Sequence, residues 1–259
     1  MFSKKYLSDR KSPTQRPETL QRFLGAAKGK TEKSLPALDE YLAGLIDHTL
    51  LKPDASDEDI QKLCAEARQY GFKTVCLNSS NIGLAAKCLS GCPVLPIAVV
   101  GFPLGASTAS AKAYETREAI SNGAKEIDMV INIGALKSKD YATVLNDILA
   151  VVDAASPLPV KVILETSKIS DEEKVIGCVL AKVANAAFVK TSTGFGGGGA
   201  TVSDIALMRR IVGSEMGVKA SGGVRTKEEA YNLIKAGATR IGASSSVELV
   251  TGGKAQGGY

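Results

Sequence analysis

Two lysines stand inside runs that otherwise read as buried strands, Ala187-Phe188-Val189-Lys190 and Gly217-Val218-Lys219-Ala220-Ser221. Burial penalises the ammonium form, and any apolar residue would serve packing better. If the two runs are neighbouring strands, the amines lie close together. Two ammonium groups about 4 Å apart at an effective dielectric of about 20 repel by about 4 kcal/mol. At about 1.36 kcal/mol per pH unit, that lowers one pKa by up to about three units from about 10.4. A lysine titrating near neutrality is substantially a free amine, which adds to carbonyls and forms a Schiff base. Asp128, alternating with Val130 and Asn132, supplies a carboxylate that can shuttle protons at the carbinolamine and enamine steps. The plainer alternative is that each lysine caps its strand and reaches water, and that Asp128 is a solvated strand-end acid.

A second set of residues suits an anion. Lys190 is followed by Thr191-Ser192-Thr193-Gly194-Phe195 and then four glycines, Gly196 to Gly199. Ser221-Gly222-Gly223-Val224-Arg225 and Gly242-Ala243-Ser244-Ser245-Ser246 follow two later strand candidates. Glycines let backbone N–H groups converge on a phosphate, and a helix N-terminus adds its dipole. Gly194, Gly222, Gly223, Arg225, Gly242, Ser244 and Ser245 are the candidate phosphate contacts; turn formation alone is the alternative use of these glycines. Gly194-x-Gly196-x-x-Gly199 also matches the dinucleotide fingerprint. It does so in the sixth strand–helix unit rather than the first, and a glycine run matches many patterns by chance.

Other chemistries are excluded by what is scarce. The chain has one histidine, His48, so a zinc aldolase or a two-histidine hydrolase site lacks its ligands. No Gly-x-Ser-x-Gly elbow exists for a Ser–His–Asp triad. The five cysteines (Cys64, Cys76, Cys88, Cys92 and Cys178) form no C-x-x-C and read as reduced thiols. No metal and no cofactor is expected. His48 reads as a packing residue near the end of the first strand. Asp47, Cys76, Asn78, Asn132 and Glu165 join Asp128 and the two lysines as polar residues expected at strand C-termini.

These residues require elements to hold them. Strands are expected at Leu45–Leu51, Lys73–Leu77, Leu95–Gly101, Glu126–Ile133, Val160–Thr166, Ala187–Thr191, Gly217–Ser221 and Thr239–Ala243. Helical spacing fills 56–70, 80–90, 109–123, 140–155, 170–184, 202–214 and 226–236, with a last helix near Ser244. Ser56 followed by acids marks an N-cap; Ser170 with Glu173 and Thr226 with Glu229 are capping boxes. Gly71, Gly123 and Gly237 stand where a helix ends in a left-handed residue. Strands alternating with helices imply a parallel sheet covered on both faces. An open doubly wound sheet has fewer strands; eight in this length favour an α/β fold of the closed (β/α)8 TIM barrel type, with strand C-termini forming the site.

The 259 residues, 44% hydrophobic and 23% charged, suit one such domain. The net charge of +5 is concentrated in residues 1–36, which hold nine basic and three acidic residues, so the basic balance says nothing about a nucleic-acid face on the body, and no nucleic-acid partner is expected. Residues 1–36 are expected to be an N-terminal extension, 37–250 the barrel, and 251–259 a glycine-rich tail. A solvated or helical lead-in, a targeting segment and a nucleic-acid arm are alternatives for the extension. No signal peptide or membrane-spanning run is evident, and a cytoplasmic location is expected. Symmetric homo-oligomers are the default for such enzymes, so a dimer or tetramer is expected.

The chain resembles the deoxyribose-phosphate aldolases, a family of class I aldolases, over about residues 40–250. The motifs are Ile46-Asp47-His48-Thr49-Leu50-Leu51-Lys52-Pro53, Gly101-Phe102-Pro103-Leu104-Gly105, Glu126-Ile127-Asp128-Met129-Val130, and Lys161-Val162-Ile163-Leu164-Glu165-Thr166. Phe188-Val189-Lys190-Thr191-Ser192-Thr193-Gly194 and Val218-Lys219-Ala220-Ser221-Gly222-Gly223-Val224-Arg225 are the most specific together. The resemblance implies a TIM barrel that reversibly cleaves 2-deoxy-D-ribose 5-phosphate to D-glyceraldehyde 3-phosphate and acetaldehyde, in deoxyribonucleotide catabolism. It implies Lys190 as the Schiff-base lysine, Lys219 as the lysine that tunes it, Asp128 as the proton relay, and the seven residues above around the phosphate. Some members carry lysine where Phe195 stands here, which puts more of the phosphate grip on backbone N–H groups. Asn185-Ala186-Ala187 departs from the family's Gly-Ala-Asp, and several members end in tyrosine, as this chain does at Tyr259.

Overall fold

The computed structural model describes residues 38–253. The expectations for residues 1–36 and for Tyr259 fall outside the described residues. Eight parallel strands close into a barrel in chain order. They are β1 (Ile46–Leu50), β2 (Thr74–Asn78), β3 (Leu95–Val100), β4 (Glu126–Val130), β5 (Val160–Ile163), β6 (Phe188–Lys190), β7 (Gly217–Ser221) and β8 (Arg240–Ala243). The (β/α)8 TIM barrel expected from the alternation is the observed architecture.

Strand alternation sorts the residues by face. Outward positions such as Val75, Leu77, Ile127, Met129, Val162, Val189, Val218 and Ile241 join the main core between barrel and helices. Inward positions carry the charge: Asp47, Glu126, Asp128, Lys161, Lys190, Lys219 and Arg240 are each at most 8% exposed. A smaller apolar cluster of Leu51, Cys76, Ile97 and Val99, with Phe102 packed on it, fills the β1–β3 side of the interior.

Several helices are amphipathic and capped as their sequences require. Helix α1 is the short Glu40–Ala43, and α2 is Asp57–Tyr70. Helix α2 buries Ile60, Leu63, Cys64 and Ala67, an i, i+3, i+4, i+7 stripe. Ser56 and Asp59 form a capping box at its start, and Gly71 ends it with φ 68 and ψ 35. Helix α3 (Ile82–Cys88) follows a 3₁₀ turn at Ser79–Asn81, and α4 is Ala109–Ser121. Next come α5 (Ile133–Lys137), α6 (Tyr141–Ala155), α7 (Asp171–Val183), α8 (Val202–Val212), α9 (Lys227–Lys235) and α10 (Ser246–Thr251). Ser170 with Glu173 and Thr226 with Glu229 form the expected capping boxes of α7 and α9.

Most element ends shift by a residue or two from the sequence expectation, and three of the shifts bear on the site. Strand β4 stops at Val130 because the Asn132 side chain turns back to accept from Ala135 N–H at 3.0 Å and opens α5. Strand β5 stops at Ile163, ahead of Glu165, whose φ of 56 and ψ of 61 no strand tolerates. The last helix begins at Ser246, leaving Ser244 and Ser245 in the loop above β8. No helix of the described residues is long and apolar enough to cross a membrane.

Candidate active site

The register sets Lys190 opposite Lys219 on adjacent strands. Lys190 is the last residue of β6 and Lys219 the third of β7. Both reach one carboxylate oxygen. Lys190 Nζ lies 2.9 Å and Lys219 Nζ 2.7 Å from Asp128 Oδ2. The other oxygen, Oδ1, accepts from Lys161 Nζ at 2.8 Å. Asp128 sits in the middle of β4 and is fully buried. The three residues singled out for the chemistry therefore meet at one point.

The network extends downward into the barrel. Lys219 Nζ also pairs with Asp47 Oδ2 at 2.6 Å. Asp47 Oδ1 accepts from Arg240 Nη1 at 2.8 Å and from the Thr74 hydroxyl at 2.7 Å. Glu126 joins Lys161 to Arg240, and Arg240 stacks over the Phe188 ring at 5.3 Å. Asp47 is the second residue of β1, not a strand-end residue as expected, and pairs in register with the first residue of β2.

Counting charges in this dry interior is decisive. Asp47, Glu126 and Asp128 supply three carboxylates; Lys161, Lys190, Lys219 and Arg240 are four potential cations. A low-dielectric interior penalises any uncompensated charge, so one cation is surplus. Burial would push the Lys219 ammonium down, but Asp128 and Asp47 on either side hold it above its ordinary value. Lys161 is likewise raised against burial by Asp128 and Asp47. Lys190 moves the other way: burial lowers it, Asp128 opposes, and the Lys219 ammonium lowers it further. Burial would raise both aspartates, yet the surrounding lysines hold Asp128 well below the usual carboxylate range, and Lys219, Lys161 and Arg240 do the same for Asp47. The surplus cation is Lys190, the one at the strand end facing the barrel mouth.

Above Lys190 opens a cavity of about 360 Å³. All seven anion candidates line it: Gly194, Gly222, Gly223, Arg225, Gly242, Ser244 and Ser245, together with Lys190 and Lys219. The β6 and β7 loops that carry several of them are joined. Thr191 Oγ1 donates to Ser221 O at 2.9 Å and accepts from Ser221 N at 3.0 Å, while Ser221 Oγ donates to Ser192 O at 2.6 Å. Gly199 packs against the Gly222 carbonyl with no space for a side chain. A primary amine at the floor and a glycine-lined, arginine-edged wall suit a carbonyl compound bearing an anionic group.

Asn78, Asn132 and His48 are engaged elsewhere. Asn78 donates to Leu51 O at 3.2 Å, and Asn132 caps α5. His48 faces outward, with Nε2 at 2.9 Å from Glu66 Oε2 and its ring 4.9 Å from Phe72, the packing role expected. Cys76 is buried inside the barrel, and burial pushes its thiol up. All five cysteines are free. Lys161, Glu126 and Arg240 were missed as network members. Their signal was a charged residue at an inward strand position: Glu126 two before Asp128 on β4, Lys161 among the apolar residues of β5, and Arg240 at the start of β8.

A profile of the family described as DeoC/LacD family aldolase matches residues 42–255. The deoxyribose-phosphate aldolase of Clostridium perfringens strain SM101 is 59% identical over 214 residues, spanning 82% of this chain and 96% of that protein. That of Macrococcus caseolyticus is 55% identical over 218 residues, 84% of this chain and 99% of the other. Among solved structures, the tetrameric deoxyribose phosphate aldolase from Aeropyrum pernix superposes with a TM-score of 0.77 at 33% identity, covering 82% of this chain and 90% of that one.

Proposed function

The chain belongs to the DeoC/LacD family of aldolases, and on that premise we propose that it cleaves 2-deoxy-D-ribose 5-phosphate reversibly through a Schiff base on Lys190. The observation that carries the proposal is the charge count around Lys190: three carboxylates already matched by Lys161, Lys219 and Arg240.

The neutral Lys190 amine adds to the C1 carbonyl of the open-chain sugar, giving a carbinolamine. Loss of water, with the hydroxyl protonated through Asp128 and Lys219, leaves an iminium. A base then takes the C3 hydroxyl proton, the C2–C3 bond breaks, and its electrons move to the iminium as an enamine. D-Glyceraldehyde 3-phosphate departs. Protonation of the enamine at C2 and return of one water release acetaldehyde and the free amine. Asp128 suits the relay because Oδ2 already touches both lysines.

Gly194, Gly222, Gly223, Arg225, Gly242, Ser244 and Ser245 hold the phosphate at the opposite wall. Backbone N–H groups and one guanidinium match a phosphate without a metal. Residues 37–250 form the catalytic unit, residues 1–36 extend it, and the role is deoxyribonucleotide breakdown in the cytoplasm. A homo-oligomer, dimer or tetramer, is in keeping with the tetrameric relative.

The test is glyceraldehyde 3-phosphate release in a coupled assay with a chelator present, beside borohydride trapping with acetaldehyde. Cleavage that resists the chelator and an ethyl adduct confined to Lys190 support the proposal. An adduct on another lysine, or none, contradicts it.

A further inference from the structure

Glu165 takes no part in the barrel charge network, yet it is only 2% exposed and has left-handed backbone angles, φ 56 and ψ 61. A long side chain in that conformation persists only where surrounding contacts require it. Among the described residues its side-chain hydrogen bonds run to a single segment. Glu165 Oε2 accepts from the Thr193 N–H at 3.3 Å and from the Thr193 hydroxyl. Thr193 Oγ1 in turn accepts from the Phe195 N–H at 3.0 Å. A Cβ placed on Gly196 would stand 2.6 Å from the Glu165 carboxyl carbon, so the loop lies directly on the carboxylate. At its far end Ala200 N–H donates to Gly222 O at 3.0 Å. Between these two anchors Gly194, Gly197 and Gly198 line the cavity. Neither anchor touches Lys190, which is held from below by Asp128.

We propose that Glu165 is a positioning residue: from the turn after β5 it fixes the loop from Thr193 to Gly198 as one wall of the anion end of the cavity, and so sets affinity for the phosphorylated substrate without entering the chemistry at Lys190. A flexible glycine run has no rigidity of its own, and the two hydrogen bonds from Thr193 to one carboxyl oxygen supply it. The inference rests on the reaction proposed above for its substrate, while anion binding tests it independently.

The informative variant is Glu165→Asn. Asparagine accepts the left-handed backbone, and its shorter side chain falls short of Thr193. Glu165→Gln keeps an acceptor at full length and serves as the conservative rescue. In the full chain, Glu165→Asn should raise KM for 2-deoxyribose 5-phosphate about tenfold or more with kcat little changed. Its kcat/KM for unphosphorylated 2-deoxyribose and its acetaldehyde–borohydride labelling should match the parent. The rise in melting temperature given by inorganic phosphate should shrink in Glu165→Asn and return in Glu165→Gln. Equal losses on both sugars, or an unchanged KM and phosphate response, overturn the proposal. If the parent binds phosphate, Glu165→Asn weakens that binding and Glu165→Gln restores it while no sugar is cleaved, the substrate assignment falls and the positioning role stands.

Discussion

Replacing Lys219 with methionine removes one charge from the barrel while nearly conserving volume. Asp47, Glu126 and Asp128 would then face only Lys161 and Arg240, and Lys190 becomes the one group able to supply the third positive charge. The magnitude follows from the geometry. Lys190 and Lys219 nitrogens sit 2.9 and 2.7 Å from one oxygen of Asp128. Unit charges about 5 Å apart at an effective dielectric of about 20 interact by about 3 kcal/mol. At about 1.4 kcal/mol per unit, losing that repulsion raises the Lys190 titration by about two pH units. The amine reacts only when deprotonated, so the acid limb of kcat/KM, which reports the free enzyme, should move up by about two units. Activity near pH 7 should fall about a hundredfold and recover about tenfold per unit as pH rises. The assay is glyceraldehyde 3-phosphate release across about pH 6 to 10, with borohydride labelling of Lys190 followed in parallel. A uniform loss at every pH with an unmoved acid limb would refute the reasoning, leaving Lys219 a proton carrier and not the tuner.

Other consequences concern stability. A lysine whose folded pKa is lowered makes the folded state less stable below that value and ceases to do so as pH approaches its unfolded value of about 10.4. Lys190→Met should therefore gain stability over the parent at pH 7, with the gap closing toward about pH 10 in urea titrations; a gap independent of pH would contradict a lowered Lys190. Asp47 is held below its ordinary range, so its contribution is complete above about pH 4 and is lost as pH falls through the lower folded value. The deficit of Asp47→Asn at neutral pH should accordingly shrink in melts below about pH 4 and stay constant above it. Lys112 is fully buried between α4, Val130 O at 2.8 Å and Asp147 Oδ2 at 2.6 Å. Lys112→Met should cost about 3–5 kcal/mol in urea unfolding, and adding Asp147→Leu should recover much of it; no recovery would place the loss in packing.

Much of this molecule could be read from the chain alone because polar residues inside short apolar strands are conspicuous. Lys190 and Lys219 stood out for that reason, and parallel pairing put them side by side. Lys161 carries the same signature within Val160-Lys161-Val162-Ile163 but has no glycine loop beyond it to draw attention. Glu126 and Arg240 open their strands, where a charge ordinarily reaches water; here Glu126 pairs with Lys161 and Arg240, and Arg240 lies over the Phe188 ring. Asp47 was assigned to the wrong height because strand stagger is a property of barrel closure, not of any one strand. Helices α1 and α5, of four and five residues, are too short for a helical period to register. Glu165 was visible as a polar residue after β5, but its grip on Thr193 depends on a turn that only the backbone reveals.

The most direct measurement is titration of the Lys190 amine itself, by NMR of ε-carbon-labelled lysine, with Lys190→Met identifying the resonance. The account predicts a transition well below the ordinary lysine value of about 10.4. A Lys190 resonance that stays in its protonated position up to about pH 10 would contradict it.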